Sequence, residues 1–160
     1  AKGGFAIIPQ PPYVSHEDCV APSRPIVQWA YTDVSDPRWR WGREFVTLRQ
    51  DPRAEAPQKI GVANRENWVA YAVEDHLFIK VCAYVAGATY PDFGSSAEIF
   101  SNAQMLELET LGAITNLDPG ASLWYVEHWF LYRQVPVENT DSSISALVLP
   151  RAQEALQVLG

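Results

Sequence analysis

Met105-Leu106-Glu107-Leu108-Glu109-Thr110-Leu111-Gly112 decides the fold class of this chain. Leucine and glutamate alternate through its centre, so a pleated strand sends Leu106 and Leu108 to one face and Glu107 and Glu109 to the other. One face is core, and the other is free to meet a polar ligand. Short β-prone runs recur on both sides of this stretch. Upstream lie Phe5-Ala-Ile-Ile-Pro, Pro25-Ile-Val-Gln-Trp-Ala-Tyr, Arg43-Glu-Phe-Val-Thr-Leu-Arg, Lys59-Ile-Gly-Val and Ala97-Glu-Ile-Phe. Trp68-Val-Ala-Tyr-Ala-Val and Leu77-Phe-Ile-Lys-Val-Cys-Ala-Tyr flank Glu74-Asp75-His76 and read as a hairpin. Downstream, Leu123 to Tyr132 reads as one more strand. Asp36-Pro37, Pro52, Pro57, Pro91, Gly94, Gly112 and Pro119-Gly120 punctuate the runs.

Closely spaced short strands predict an all-β fold, an antiparallel β-sandwich in a single domain over residues 1–160. Residues 1–24 are expected to be mostly loop, because Pro9, Pro11 and Pro12 supply no ladder donors. Only the C-terminus reads as helical. Leu149 to Leu159 places Pro150 in a first turn and Ala152, Ala155, Leu156 and Leu159 on one side, suited to packing on a sheet.

A length of 160 residues fits one self-sufficient core. The formal net charge of −7 argues against nucleic acid or an anionic membrane surface as partner, since both repel an acidic protein. No apolar run approaches the ~20 residues of a spanning helix. Cys19 and Cys82 stand far apart and outside any metal-ligand spacing, so Cys82 reads as a small buried hydrophobe, compatible with a reducing cytoplasm. The three histidines are scattered too, and neither a metal nor a cofactor is expected.

The order of the pieces, a Leu-Glu-Thr strand at Leu108 to Thr110, a Leu117-Asp-Pro-Gly turn and the aromatic-rich Val126-Glu-His-Trp-Phe-Leu-Tyr, resembles the C-terminal end of aldose 1-epimerases and their galactose-mutarotase-like relatives. Trp29-Ala-Tyr-Thr-Asp, Asp36-Pro-Arg-Trp, Lys59-Ile-Gly, Trp68-Val-Ala-Tyr and Leu77-Phe-Ile-Lys are similar to motifs of bacterial members of that group. The resemblance covers most of residues 25–132 and implies half of a larger β-supersandwich, the C-terminal half. It also implies that Glu109 occupies the place of the family's catalytic base. The family's catalytic histidines have no counterpart at His16, His76 or His128. Ring opening needs a base for the anomeric hydroxyl and an acid for the ring oxygen, so full epimerase activity by this chain alone is not expected. A half-length sandwich would further leave sheet edges for a second copy to cover.

Beside Glu109, Glu107 shares its face and Glu98 is placed to join from a neighbouring strand, with Lys80 as the compensating cation. The alternative for all of them is a solvated outer face. Arg38, Trp39, Arg40 and Trp41 gather guanidinium forks and aromatic planes, which suit a sugar ring and equally an oligomer interface. His128 is expected on an apolar strand side with Trp124, Val126, Phe130 and Tyr132, as a hydrogen-bonded core histidine. The leading functional expectation is a carbohydrate-binding, aldose-epimerase-like domain taking a monosaccharide or sugar derivative. The other is a non-catalytic sandwich whose aromatic surface mediates self-association into a homo-oligomer.

Overall fold

The computed structural model describes residues 3–160. Ten strands form two antiparallel sheets: β1 (Phe5–Pro9), β2 (Ile26–Gln28), β3 (Trp39–Trp41), β4 (Phe45–Arg49), β5 (Gln58–Val62), β6 (Trp68–Val73), β7 (His76–Val81), β8 (Ala97–Ser101), β9 (Leu106–Thr110) and β10 (His128–Arg133). The larger sheet runs β10-β7-β6-β1-β4-β3 and the smaller β2-β5-β8-β9. A one-turn segment, α1 (Pro91–Gly94), precedes β8, and two short helices, α2 (Asp141–Leu147) and α3 (Leu149–Ala155), lead into a closing 3-10 turn at Leu156–Leu159.

The sandwich core lies between the sheets. Ala6, Ile8, Val46, Leu48 and Val69 of the large sheet meet Ile60, Ala97 and Ile99 of the small one, with Leu106 and Leu108 of β9 packed alongside. The opposite face of the large sheet is also dry, because Phe5, Ile7, Phe45, Ala70, Ala72, Leu77 and Ile79 lie in one cluster with Ile144, Val148, Ala152 and Ala155 of the C-terminal helical region. Three layers result: small sheet, large sheet, helices. β1 sits in the middle with both faces buried, which is why its sequence is an unbroken apolar run rather than an alternating one. Its position in mid-sheet, paired with β4 and β6, makes it far more than part of a connector.

Three local expectations are corrected. The strand expected from Leu123 starts only at His128, which lies opposite Val81, the last residue of β7; before that point there is no partner to pair with. Trp124 and Val126 are therefore exposed, and His128 does not share an apolar strand face with them, although Phe130 and Tyr132 do pack on the core. β3 is a strand not expected from the sequence, with Trp39 opposite Leu48 and Trp41 opposite Val46. The helix at Leu149 is preceded by α2, whose serines disguised it. Thr140 caps α2 by accepting from the Ser143 amide, and the Asp141 carboxylate accepts from Arg40 Nη1 at 2.8 Å and from the Arg43 amide at 2.9 Å. Those two bonds fasten the helical layer to the end of the large sheet.

Candidate carboxylate site

The outer face of the small sheet is built by register. Gly61, Glu98 and Glu109 lie side by side on β5, β8 and β9, and Lys59, Phe100 and Glu107 form the next row. Leu106 and Leu108 turn inward to the sandwich core, so Glu107 and Glu109 take the opposite face. Lys59 Nζ reaches into the neighbouring row to bond Glu98 Oε2 at 2.7 Å and Glu109 Oε2 at 3.2 Å. The same ammonium stands 4.8 Å from the centre of the Trp29 ring. Trp29 also covers Gly61, where an added Cβ would overlap the Ser95 hydroxyl and come within 3.4 Å of the indole. Asp92, held with Phe93 in the left-handed region by the α1 turn, brings a further carboxylate to Glu98.

These neighbours divide the acids into different protonation states. Glu98 is 1% exposed, and burial pushes its carboxyl up to about 7 even though Lys59 pulls it down. Burial would raise Glu109 as well, but the hydrogen bond from Lys59 and the neighbouring Glu98 carboxyl outweigh it and hold Glu109 below the ordinary glutamate range. Glu107 is raised by burial and by the Glu109 charge. Lys59 is disfavoured by burial yet ends above its usual value through Glu98 and Glu109. Burial likewise raises the Tyr31 phenol, with opposing contributions from the Lys59 charge and the three glutamates. Near neutral pH the face offers an anionic acceptor, a buried acid at its own titration point, an ammonium and an indole.

No family model, curated protein or solved structure matches this chain.

Of the residues singled out in the sequence, Glu98, Glu107 and Glu109 come together. Lys80 does not join them. It lies 8% exposed on β7 of the other sheet, donating to the Leu108 carbonyl at 3.0 Å and to Glu127 Oε1 at 3.1 Å. It thus clips the two sheets across their open side, above a groove of about 360 Å³ lined by Tyr71, Phe78, Leu106, Leu108 and Trp129. Arg38 and Trp39 are also apart from the acids and are buried. Arg38 forms a fork to Asp36 and donates to the Ala56 carbonyl, and Trp39 Nε1 donates to Gln58 at 3.1 Å, so both side chains brace the fold rather than present themselves to a ligand. His76 and His128 belong to the large sheet and His16 to the N-terminal loop.

Lys59, Trp29 and Asp92 are site residues that local sequence does not mark, and Glu127 beside Lys80 is another functional-looking acid it does not mark. Lys59 opens Lys59-Ile60-Gly61-Val62, whose alternation assigns it to the outer face, but its partners are set by a register between β5 and β8 that the local sequence does not carry. Glu127 collects bonds from Lys80, Thr110 and Trp129; these overcome the effect of burial and lower its carboxyl.

Proposed function

We propose that the outer face of the small sheet binds a sugar, with the ionised Glu109 accepting hydrogen bonds from ligand hydroxyls and Trp29 offering an apolar ring beside them. The observation that carries this reading is Lys59 bridging Glu98 and Glu109 against an indole plane, because paired acceptors and donors next to an aromatic surface are what a polyhydroxylated ring needs. The likeness of the Leu108 to Thr110 strand to aldose 1-epimerases supports the same residue and the same ligand class. An acid for the ring oxygen is not supplied by the histidines, so the reading is a sugar-binding, epimerase-like domain with little mutarotase turnover of its own.

Titration calorimetry with galactose and glucose tests it. Measurable binding by the wild type, lost by about tenfold or more in Glu109→Gln, is expected for a charge-assisted hydrogen bond removed. No heat with either sugar would end the reading. Polarimetric mutarotation run on the same samples should stay close to the uncatalysed rate.

Self-association is the second reading, and the observation favouring it is the free edge of β10. Trp129 and Leu131 are 62% and 80% exposed there, and Trp124 is 89% exposed in the segment before it. The aromatic surface at stake is this one, since Trp39 is buried.

A further inference from the structure

The carboxyl pair at the centre of the site contains one atom without a partner. Glu98 Oε2 is bonded to Lys59, but Oε1 is buried with no hydrogen-bond donor within reach, on a side chain 1% exposed. A buried carboxylate oxygen left in this state is costly, and a proton on it removes the cost by turning an orphaned acceptor into a donor. The charged and titratable groups that face Glu98 are Lys59 from β5, Glu109 from β9, Asp92 from the α1 turn and Tyr31 from the segment after β2; Glu107 stands next along from Glu109. Glu109 is the residue directly opposite it across the β8–β9 ladder, where facing side chains have Cβ atoms ~4.5–5.5 Å apart. Two carboxylates facing one another across the ladder and both bonded to a single ammonium repel unless one carries a proton.

We propose that Glu98 acts through Glu109: a proton on its unpaired Oε1 is donated to the Glu109 carboxylate, and this shared proton fixes the charge and orientation with which Glu109 meets its ligand. Glu98 is a positioning residue, too deeply covered to touch a sugar itself. The opposed displacements of the two carboxyls, Glu98 up and Glu109 down, are those of a donor acid and an acceptor carboxylate. When Glu98 ionises, the pair carries two negative charges against one ammonium. Lys59 is then drawn toward the buried charge, and Glu109 loses both a donor and its fixed position. Ligand affinity is governed by one proton that the ligand never contacts.

The inference rests on the sugar-site reading for its consequence but not for its test. In the ligand-free full chain with ¹³C-labelled glutamate carboxyls, one resonance is expected to titrate near pH 7, to vanish in Glu98→Gln, and to move toward the ordinary glutamate range in Glu109→Gln, where the neighbouring charge is gone. The Glu109 resonance should show an inflection at the same pH in the wild type and none in Glu98→Gln. Absence of any carboxyl titrating above the ordinary range, or a near-neutral titration that survives Glu98→Gln, overturns the proposal. With galactose as the probe, wild-type affinity should fall several-fold between pH 6 and pH 8.5, while Glu98→Gln, which keeps a donor and cannot ionise, should show no such fall. A pH step persisting in Glu98→Gln would also overturn it. Failure of galactose to bind at either pH, alongside the expected carboxyl titrations, counts against the sugar-site reading and leaves the shared proton established.

Discussion

Glu98 makes the stability of the protein depend on pH in a direction opposite to that of most carboxylates. Its folded-state value of about 7 lies above the unfolded value near 4.5, so the folded state binds the extra proton between those limits. Stability is undiminished below the unfolded value and is lost as pH rises toward the folded one. Asp36, Asp141 and Glu127 have lowered carboxyls and act the other way, contributing above their unfolded values and failing only in acid. Urea unfolding at pH 5 and pH 8.5 should show a Glu98-dependent loss on the order of 2–3 kcal/mol at the higher pH, absent in Glu98→Gln. An equal difference in the variant would mean that another group titrates. The acids of the site were legible as residues, since the alternation of Leu106 to Glu109 assigns faces directly. Their protonation was not, because it arises from burial and from Lys59 and Asp92, which are brought in from sequence-distant segments.

The elements that hold the layers together show where local sequence stops being informative. Strands with clean alternation or unbroken apolar runs were readable, including the β6–β7 hairpin around Glu74 and Asp75. β10 was overextended because its aromatic residues look alike on both sides of His128, and only the end of β7 at Val81 shows where pairing stops. α2 was hidden by Ser142, Ser143 and Ser145, yet its N-terminus carries two independent fastenings, the Thr140 cap and the Asp141 bonds to Arg40 and the Arg43 amide. Thr140→Ala should cost about 1 kcal/mol in thermal or urea unfolding. Asp141→Ala should cost roughly 1–2 kcal/mol, since it removes a partly exposed ion pair together with backbone bonds. A neutral Asp141→Ala would show that the helices are held by Ile144, Val148 and Ala152 alone. Lys80→Met keeps the stem of the side chain but leaves Glu127 without its cation, and should destabilise by roughly 1–2 kcal/mol.

At the scale of the whole molecule, the two sheets differ in what covers them. Helices close the outer face of the large sheet, whereas the small sheet turns its carboxylates, Lys59 and Trp29 outward. The second-copy reading predicts that light scattering across a dilution series gives a mass above that of one chain, and that Trp129→Glu on the β10 edge lowers it. A constant single-chain mass at micromolar concentration would leave β10 an ordinary exposed edge. The sugar reading concerns the other sheet, so the two can be told apart by where a ligand acts. The most direct measurement is amide and indole chemical-shift mapping of the full chain during a galactose titration. Saturable shifts confined to Lys59, Gly61, Glu98, Glu109 and the Trp29 indole are expected, together with their loss in Glu109→Gln. Shifts centred on Tyr71, Phe78 and Trp129 in the groove beside Lys80, or no shifts at all, would contradict the sugar reading.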